Sequence, residues 1–168
     1  AASDVYKRQN EFGPENQFSY NLIDVYAAMK AGSSISGNTF MDDCCTHNQI
    51  SLYGVDDHAS IEINDNICAM SRNMVRFGFK GTPNCVVEMS NNTYYETDVA
   101  PWDGLFLVQP YGKQTESFAN TTIMVNKTKK PEGQLCYLYA GANDTPFTDD
   151  NKPTVVVDGE IFDAPISK

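Results

Sequence analysis

The sequence predicts a mainly β protein, an antiparallel β-sandwich or jelly roll with one short N-terminal helix and disulfide-stapled loops. Three observations carry that expectation. From residue 49 onward the apolar residues come in short runs, about nine or ten of them at roughly ten-residue spacing. Gly, Pro, Asn and Asp punctuate the intervals between the runs. Five cysteines occur in 168 residues and none forms a C-x-x-C pair, which removes zinc-ribbon and thioredoxin-like readings. The length fits one domain with a real core.

Residues 1–9 read A-A-S-D-V-Y-K-R-Q. Their last six match the translation of a transposon-end adapter used in sequencing libraries, so residues 1–9 are expected to be an adapter-derived artefact. The single β-sandwich domain is then expected to span residues 10–168 and to lack its native N-terminus. The helix is expected over residues 21–31. Leu22, Val25, Tyr26 and Met29 recur at helical spacing, Asn21 can cap, Asp24 sits as in a capping box, and Lys30 with Gly32 closes the end. A strand over residues 18–26 is the alternative, because Phe18, Tyr20 and Leu22 alternate with polar positions. Residues 33–48 form a long polar connection that carries Cys44 and Cys45 and needs anchoring.

Strand signals follow in order. Ile50, Leu52 and Tyr53 end at Gly54. Ile61 and Ile63 alternate with Ser60, Glu62 and Asn64, and Val75, Phe77 and Phe79 alternate with Arg76, Gly78 and Lys80. Short runs then fall at Val86-Val87, Tyr94-Tyr95, 105–108, 123–125, 135–139, 155–157 and 161–162. Asp158-Gly159 has the chemistry of a two-residue hairpin turn. No internal repeat is visible.

The stretch 99–112, V-A-P-W-D-G-L-F-L-V-Q-P-Y-G, is expected to be a core strand with a site at its entrance. Trp102, the only tryptophan, stands beside Asp103, and Tyr94, Tyr95 and Tyr111 are near in sequence. Pyranose rings stack their C–H faces on aromatic rings while a carboxylate accepts from the hydroxyls, so these five residues are the candidate glycan site. The plain alternative is that Trp102 caps the core.

Composition narrows the partners. The formal charge of −10 opposes a phosphate backbone, so no nucleic acid is expected. No apolar run approaches the ~18–20 residues of a membrane helix. Cys44, Cys45, Cys68, Cys85 and Cys136 suffice for two disulfide bridges of unspecified pairing, and adjacent Cys44 and Cys45 are expected to take different partners. Glycosylation sequons stand at Asn91, Asn120, Asn126 and Asn143. Together these point to a secreted or extracellular protein.

Other chemistry is thinner. No cofactor is expected apart from calcium, for which Asp149, Asp150 and Asn151 are the candidate ligands. Asp56-Asp57-His58, Asn64-Asp65-Asn66 and Asn143-Asp144 have the same composition, which solvated turns also favour. Cys44, Cys45, His47, His58 and Cys68 could hold a transition metal, although disulfides compete for the thiols. There is no G-x-S-x-G elbow and no Gly-rich phosphate loop. Glu62 and Glu88, on predicted strands, are the carboxylate pair that could serve a glycosidase. The expected function is therefore a non-catalytic extracytoplasmic module for glycan binding or adhesion, with a glycan or another protein chain as partner. The alternatives are a structural subunit of a larger extracellular or viral assembly, and a carboxylate-dependent glycosidase or lyase.

Overall fold

Among the described residues strand pairing is parallel, with one exception at the C-terminal end. The structure, a computed structural model, describes residues 6–8, 11–12, 21–41, 48–69, 73–77, 84–95, 106–108, 118–130, 136–139 and 147–167. Three sheets contain all its strands. The first is ordered β1 (Tyr6–Arg8), β4 (Ser34–Ser36), β7 (Ser60–Asn64), β10 (Val86–Ser90), β13 (Thr122–Asn126), β15 (Thr154–Val157) and β16 (Glu160–Phe162). The second contains β2 (Glu11–Phe12), β5 (Thr39–Phe40), β8 (Ile67–Ala69) and β11 (Thr93–Tyr95). The third contains β3 (Asn21–Met29), β6 (Asn48–Val55), β9 (Asn73–Phe77), β12 (Phe106–Val108), β14 (Cys136–Tyr139) and β17 (Ile166–Ser167). In the first four turns the chain visits the sheets in rotation, one strand in each. That path is a parallel β-solenoid, each turn stacking on the last at a rise of about 4.8 Å.

The expected antiparallel sandwich is therefore corrected to parallel stacking. Period-2 alternation is the same in both arrangements, so it could not separate them. Only Asp158-Gly159 behaves as the hairpin its sequence predicts. Both residues have positive φ, 48° and 89°, and β15 pairs antiparallel with β16 across them.

The expected helix over residues 21–31 is also corrected, in favour of the strand alternative. These residues form β3, which pairs with β6 from Asn21↔Asn48 to Met29↔Val55. A bulge between Val25 and Ala28 adds one residue to an alternating strand. Val25 and Met29, both buried, are four residues apart, a spacing that an alternating strand and a helical stripe share. Tyr26, which a helix would bury, is 72% exposed. No helix occurs among the described residues, and so none is long and apolar enough to cross a membrane.

The core runs down the middle of the coil as columns of like residues. Ile61, Val87, Ile123 and Val155 stack in register on the first sheet. Val25, Leu52, Phe77, Val108 and Leu138 do so on the third. All are buried. The expected central strand at 105–108 is present as β12, between β9 and β14, with Val108 fully buried.

Two corners recur from turn to turn. Gly32, His58, Asn84 and Asn120 take left-handed backbone before the first sheet, and each is followed by a small buried residue: Ser33, Ala59, Cys85 or Thr121. After the sheet, Gly37, Asp65, Asn91 and Lys127 do the same. Gly, Asn and Asp tolerate this conformation best. The next residues inward are Asn38, Asn66 and Asn92, all fully buried. Asn38 Nδ2 donates to Asn66 Oδ1 at 3.0 Å and Asn66 Nδ2 to Asn92 Oδ1 at 3.1 Å. The backbone N–H groups of Asn38 and Asn66 donate to the same oxygens. Each turn thus satisfies the buried corner of the one before it. The sequence does contain a repeat after all: S-I-S-G-N-T-F, E-I-N-D-N-I-C, E-M-S-N-N-T-Y and M-V-N-K-T-K-K begin at residues 34, 62, 88 and 124. Unequal spacing hides it.

Candidate functional site

Alternation on the third sheet determines which residues face away from the core. Ile23 and Val25 point inward, so Asp24 and Tyr26 point outward from β3. Ile50 and Leu52 point inward, so Ser51 and Tyr53 point outward from β6, and Val75 and Phe77 leave Arg76 outward on β9. Register places Asp24 beside Ser51 and Ser51 beside Arg76. The bulge leaves Tyr26 and Ala27 opposite the single residue Tyr53. Two tyrosines on neighbouring strands are therefore neighbours, and the carboxylate of Asp24 stands to one side of them.

Tyr26 and Asp24 are coupled. The phenol donates to Asp24 Oδ2 at 3.2 Å. The carboxylate's charge, and then its acceptance of this hydrogen bond, push the phenol's pKa up, so the hydroxyl stays protonated. Asp24 Oδ1 makes no hydrogen bond to Tyr26. The rest of the outward row is more enclosed. Ser51 is buried and its hydroxyl has no hydrogen-bond partner among the described residues, and Arg76 is half-buried.

A second polar surface lies at the corner after the first sheet. Glu88, Ser90, Asn91, Asn126, Lys127 and Asp158 line a shallow groove. Ser90 Oγ donates to Glu88 Oε1 at 2.8 Å, and the Lys127 N–H donates to Asp158 Oδ1 at 2.8 Å. Glu62 and Glu88 are register partners on neighbouring strands, but only Glu88 lines this groove.

The structure distributes the sequence-predicted residues unevenly. Trp102, Asp103 and Tyr111 lie outside the described residues. Tyr94 is 4% exposed and stacks in register on Cys68 inside the coil, so it is a core residue and not a surface platform. Tyr95 is half-buried opposite Ala69. Cys68 and Cys85 are buried, and neither forms a disulfide among the described residues. Cys85 Sγ donates to the Asp56 carbonyl at 3.0 Å, and burial pushes its thiol pKa up. Cys44, Cys45 and His47 lie outside the described residues, and only the backbone of Cys136 is described, in β14.

Of the sequons, Asn91 and Asn120 are exposed turn residues with left-handed backbone and Asn126 is half-buried; Asn143 lies outside the described residues. Asn120 Nδ2 donates to Asn84 Oδ1 at 3.0 Å. Left-handed geometry by itself accounts for Asn at 91 and 120. Of the calcium candidates, Asp149 pairs with Lys152 at 2.8 Å, Asn151 Oδ1 accepts from the Thr148 N–H at 2.7 Å, and Asp150 is exposed. His58 pairs with Asp57 at 3.0 Å on the surface. No group of three or more metal-ligating side chains gathers among the described residues.

Asp24 and Tyr26 are the site residues that the helix expectation missed. The strand alternative missed them too, because its apolar face, Phe18, Tyr20 and Leu22, is the face that alternation gives Asp24 and Tyr26. No protein-family model, curated protein or solved structure matches the chain.

Proposed function

We propose that this chain is a non-catalytic extracytoplasmic module for glycan binding or adhesion. The observation that carries the proposal is the Tyr26–Asp24 pair. A phenol ring 72% exposed, beside a carboxylate that holds its hydroxyl, offers a stacking face and an acceptor together. Tyr53 extends the surface to the next turn. Parallel pairing of β3 with β6 keeps these groups in place without ordering a loop. Trp102, Asp103 and Tyr111, which lie outside the described residues, stay in the proposal with Tyr95 as a second contact. Retention on immobilised polysaccharides tests the function. The intact chain is expected to be retained, and Tyr26→Ala to elute early. Equal elution of both would count against it.

A second function has its own observation. Met124, Val156 and Ile161 stand in register as an outward apolar stripe on β13, β15 and β16, and Ile161 is 81% exposed on an edge strand. Such a stripe suits a structural subunit that meets other chains. Light scattering tests it: self-association is expected to be lost in Ile161→Asp, and a monomer at all concentrations would oppose a homomeric assembly.

A further inference from the structure

We infer that a pocket between the first and third sheets binds a small arylalkylamine, a cation carrying one apolar ring. The pocket shares no residue with the Asp24–Tyr26–Tyr53 surface, and its ligand is independent of the glycan-binding function proposed above. Its place comes from the core columns. Register carries the inner face of the first sheet from Ile123 to Val155 and on to Phe162 in the antiparallel strand β16. The column of the third sheet reaches Leu138 in β14. Leu138, Val155 and Phe162 together line one pocket of about 290 Å³, so it lies between the two sheets.

Size and lining set the body of the ligand. Leu138 and Val155 are buried and give the pocket an apolar floor. Phe162 and Ala164 are half-buried, pack against the core and line the pocket above that floor. An apolar cavity of ~150 Å³ takes benzene, so this pocket has room for one ring and a short chain. Phe162 offers that ring an aromatic partner.

Charge sets the head group. Asp149, Lys152 and Asp163 also line the pocket. Lys152 Nζ donates to Asp149 Oδ1 at 2.8 Å, so these two charges cancel. The hydrogen bond and charge of Asp149, and more weakly the charge of Asp163, raise the pKa of the ammonium and keep it protonated. The Asp163 carboxylate is exposed and makes no hydrogen bond or ion pair among the described residues. It is therefore the uncompensated charge of the lining. A ligand ammonium can donate to it while the ring rests on the apolar floor. A carboxylate or phosphate ligand would be repelled, in a chain whose formal charge is already −10.

Calorimetric titration of the intact chain with phenethylamine at neutral pH tests this, with phenethyl alcohol, phenylacetate and ethylamine as probes of charge and ring. Phenethylamine should bind about fivefold more tightly than phenethyl alcohol, the range of one exposed ion pair, and phenylacetate more weakly than either. Ethylamine, which lacks the ring, should bind at least about tenfold more weakly than phenethylamine. Asp163→Asn should bring the amine and the alcohol within about twofold of each other. Ala164→Trp, which fills the pocket, should abolish binding of both. Thermal melts accompany each variant, and Asp163→Asn changes an exposed side chain only. Amide shifts on adding phenethylamine should fall on Lys152, Val155, Phe162 and Asp163. Failure of phenethylamine to bind, phenylacetate binding as tightly, shifts confined to other faces, or a preference for the amine that survives Asp163→Asn each overturns the inference. Retention on polysaccharides is read separately and is untouched by any of these results.

Discussion

Asn38 donates its side-chain amide to Oδ1 of Asn66 across 3.0 Å, from one turn of the coil to the next. Asn66 repeats the act toward Asn92 at 3.1 Å and also donates to the Ile35 carbonyl at 3.1 Å. Removing Asn66 would leave the Asn38 N–H and the Ile35 carbonyl without these bonds inside the protein. Asn66→Ala is expected to destabilise the fold by about 2–4 kcal/mol, several times a lone surface hydrogen bond. Urea unfolding measures this. A change within about 0.5 kcal/mol would mean the ladder is incidental.

The corner residue Asn91 sits at φ 56°. Asn91→Gly is expected to be close to neutral, because glycine takes left-handed backbone freely. Asn91→Val should cost about 1–2 kcal/mol or more, because a β-branched side chain crowds the backbone there. Equal melting temperatures for the two variants would contradict this corner geometry.

These corners show what was legible in the sequence and what was not. Mainly β character, the core strand around Val108 and the Asp158-Gly159 hairpin could be read from alternation and turn chemistry. Parallel stacking could not, because Ile61 and Ile63 alternate with polar residues in the same way whichever direction the neighbour runs. The repeat rests on single positions such as Asn38, Asn66 and Asn92, which turn propensity explains just as well. Tyr94 looked like a surface ring because its neighbour Tyr95 hid which of the two faced inward.

Thiol chemistry separates the buried cysteines from a disulfide framework. Cys68 and Cys85 are buried with no disulfide among the described residues, and the Cys85 thiol's pKa is raised by burial. Both should resist an aqueous thiol reagent at neutral pH in the folded protein and react once it is unfolded without reductant. Peptide mapping reads out each site. Rapid labelling in the folded state, or no labelling after unfolding without reductant, would contradict the assignment.

Acid should weaken the corner that holds Asp57. Asn84 Nδ2 donates to Asp57 Oδ1 at 2.8 Å, and this bond, with the nearby His58, lowers the carboxyl's pKa below its ordinary 3.8. A carboxyl lowered on folding stabilises the fold above its unfolded value, and that contribution fades as pH falls through the folded value. The melting-temperature gap between the intact protein and Asp57→Ala should therefore be largest near neutral pH and should narrow below pH 3.8. A gap that widens in acid would reverse the sign.

The surface around Tyr26 is the centre of the functional account, and amide chemical-shift mapping with cellotetraose tests it most directly. Shifts are expected to cluster at Asp24, Tyr26 and Tyr53 and to vanish in Tyr26→Ala. Shifts confined to other faces of the coil, with these three residues unmoved, would contradict it.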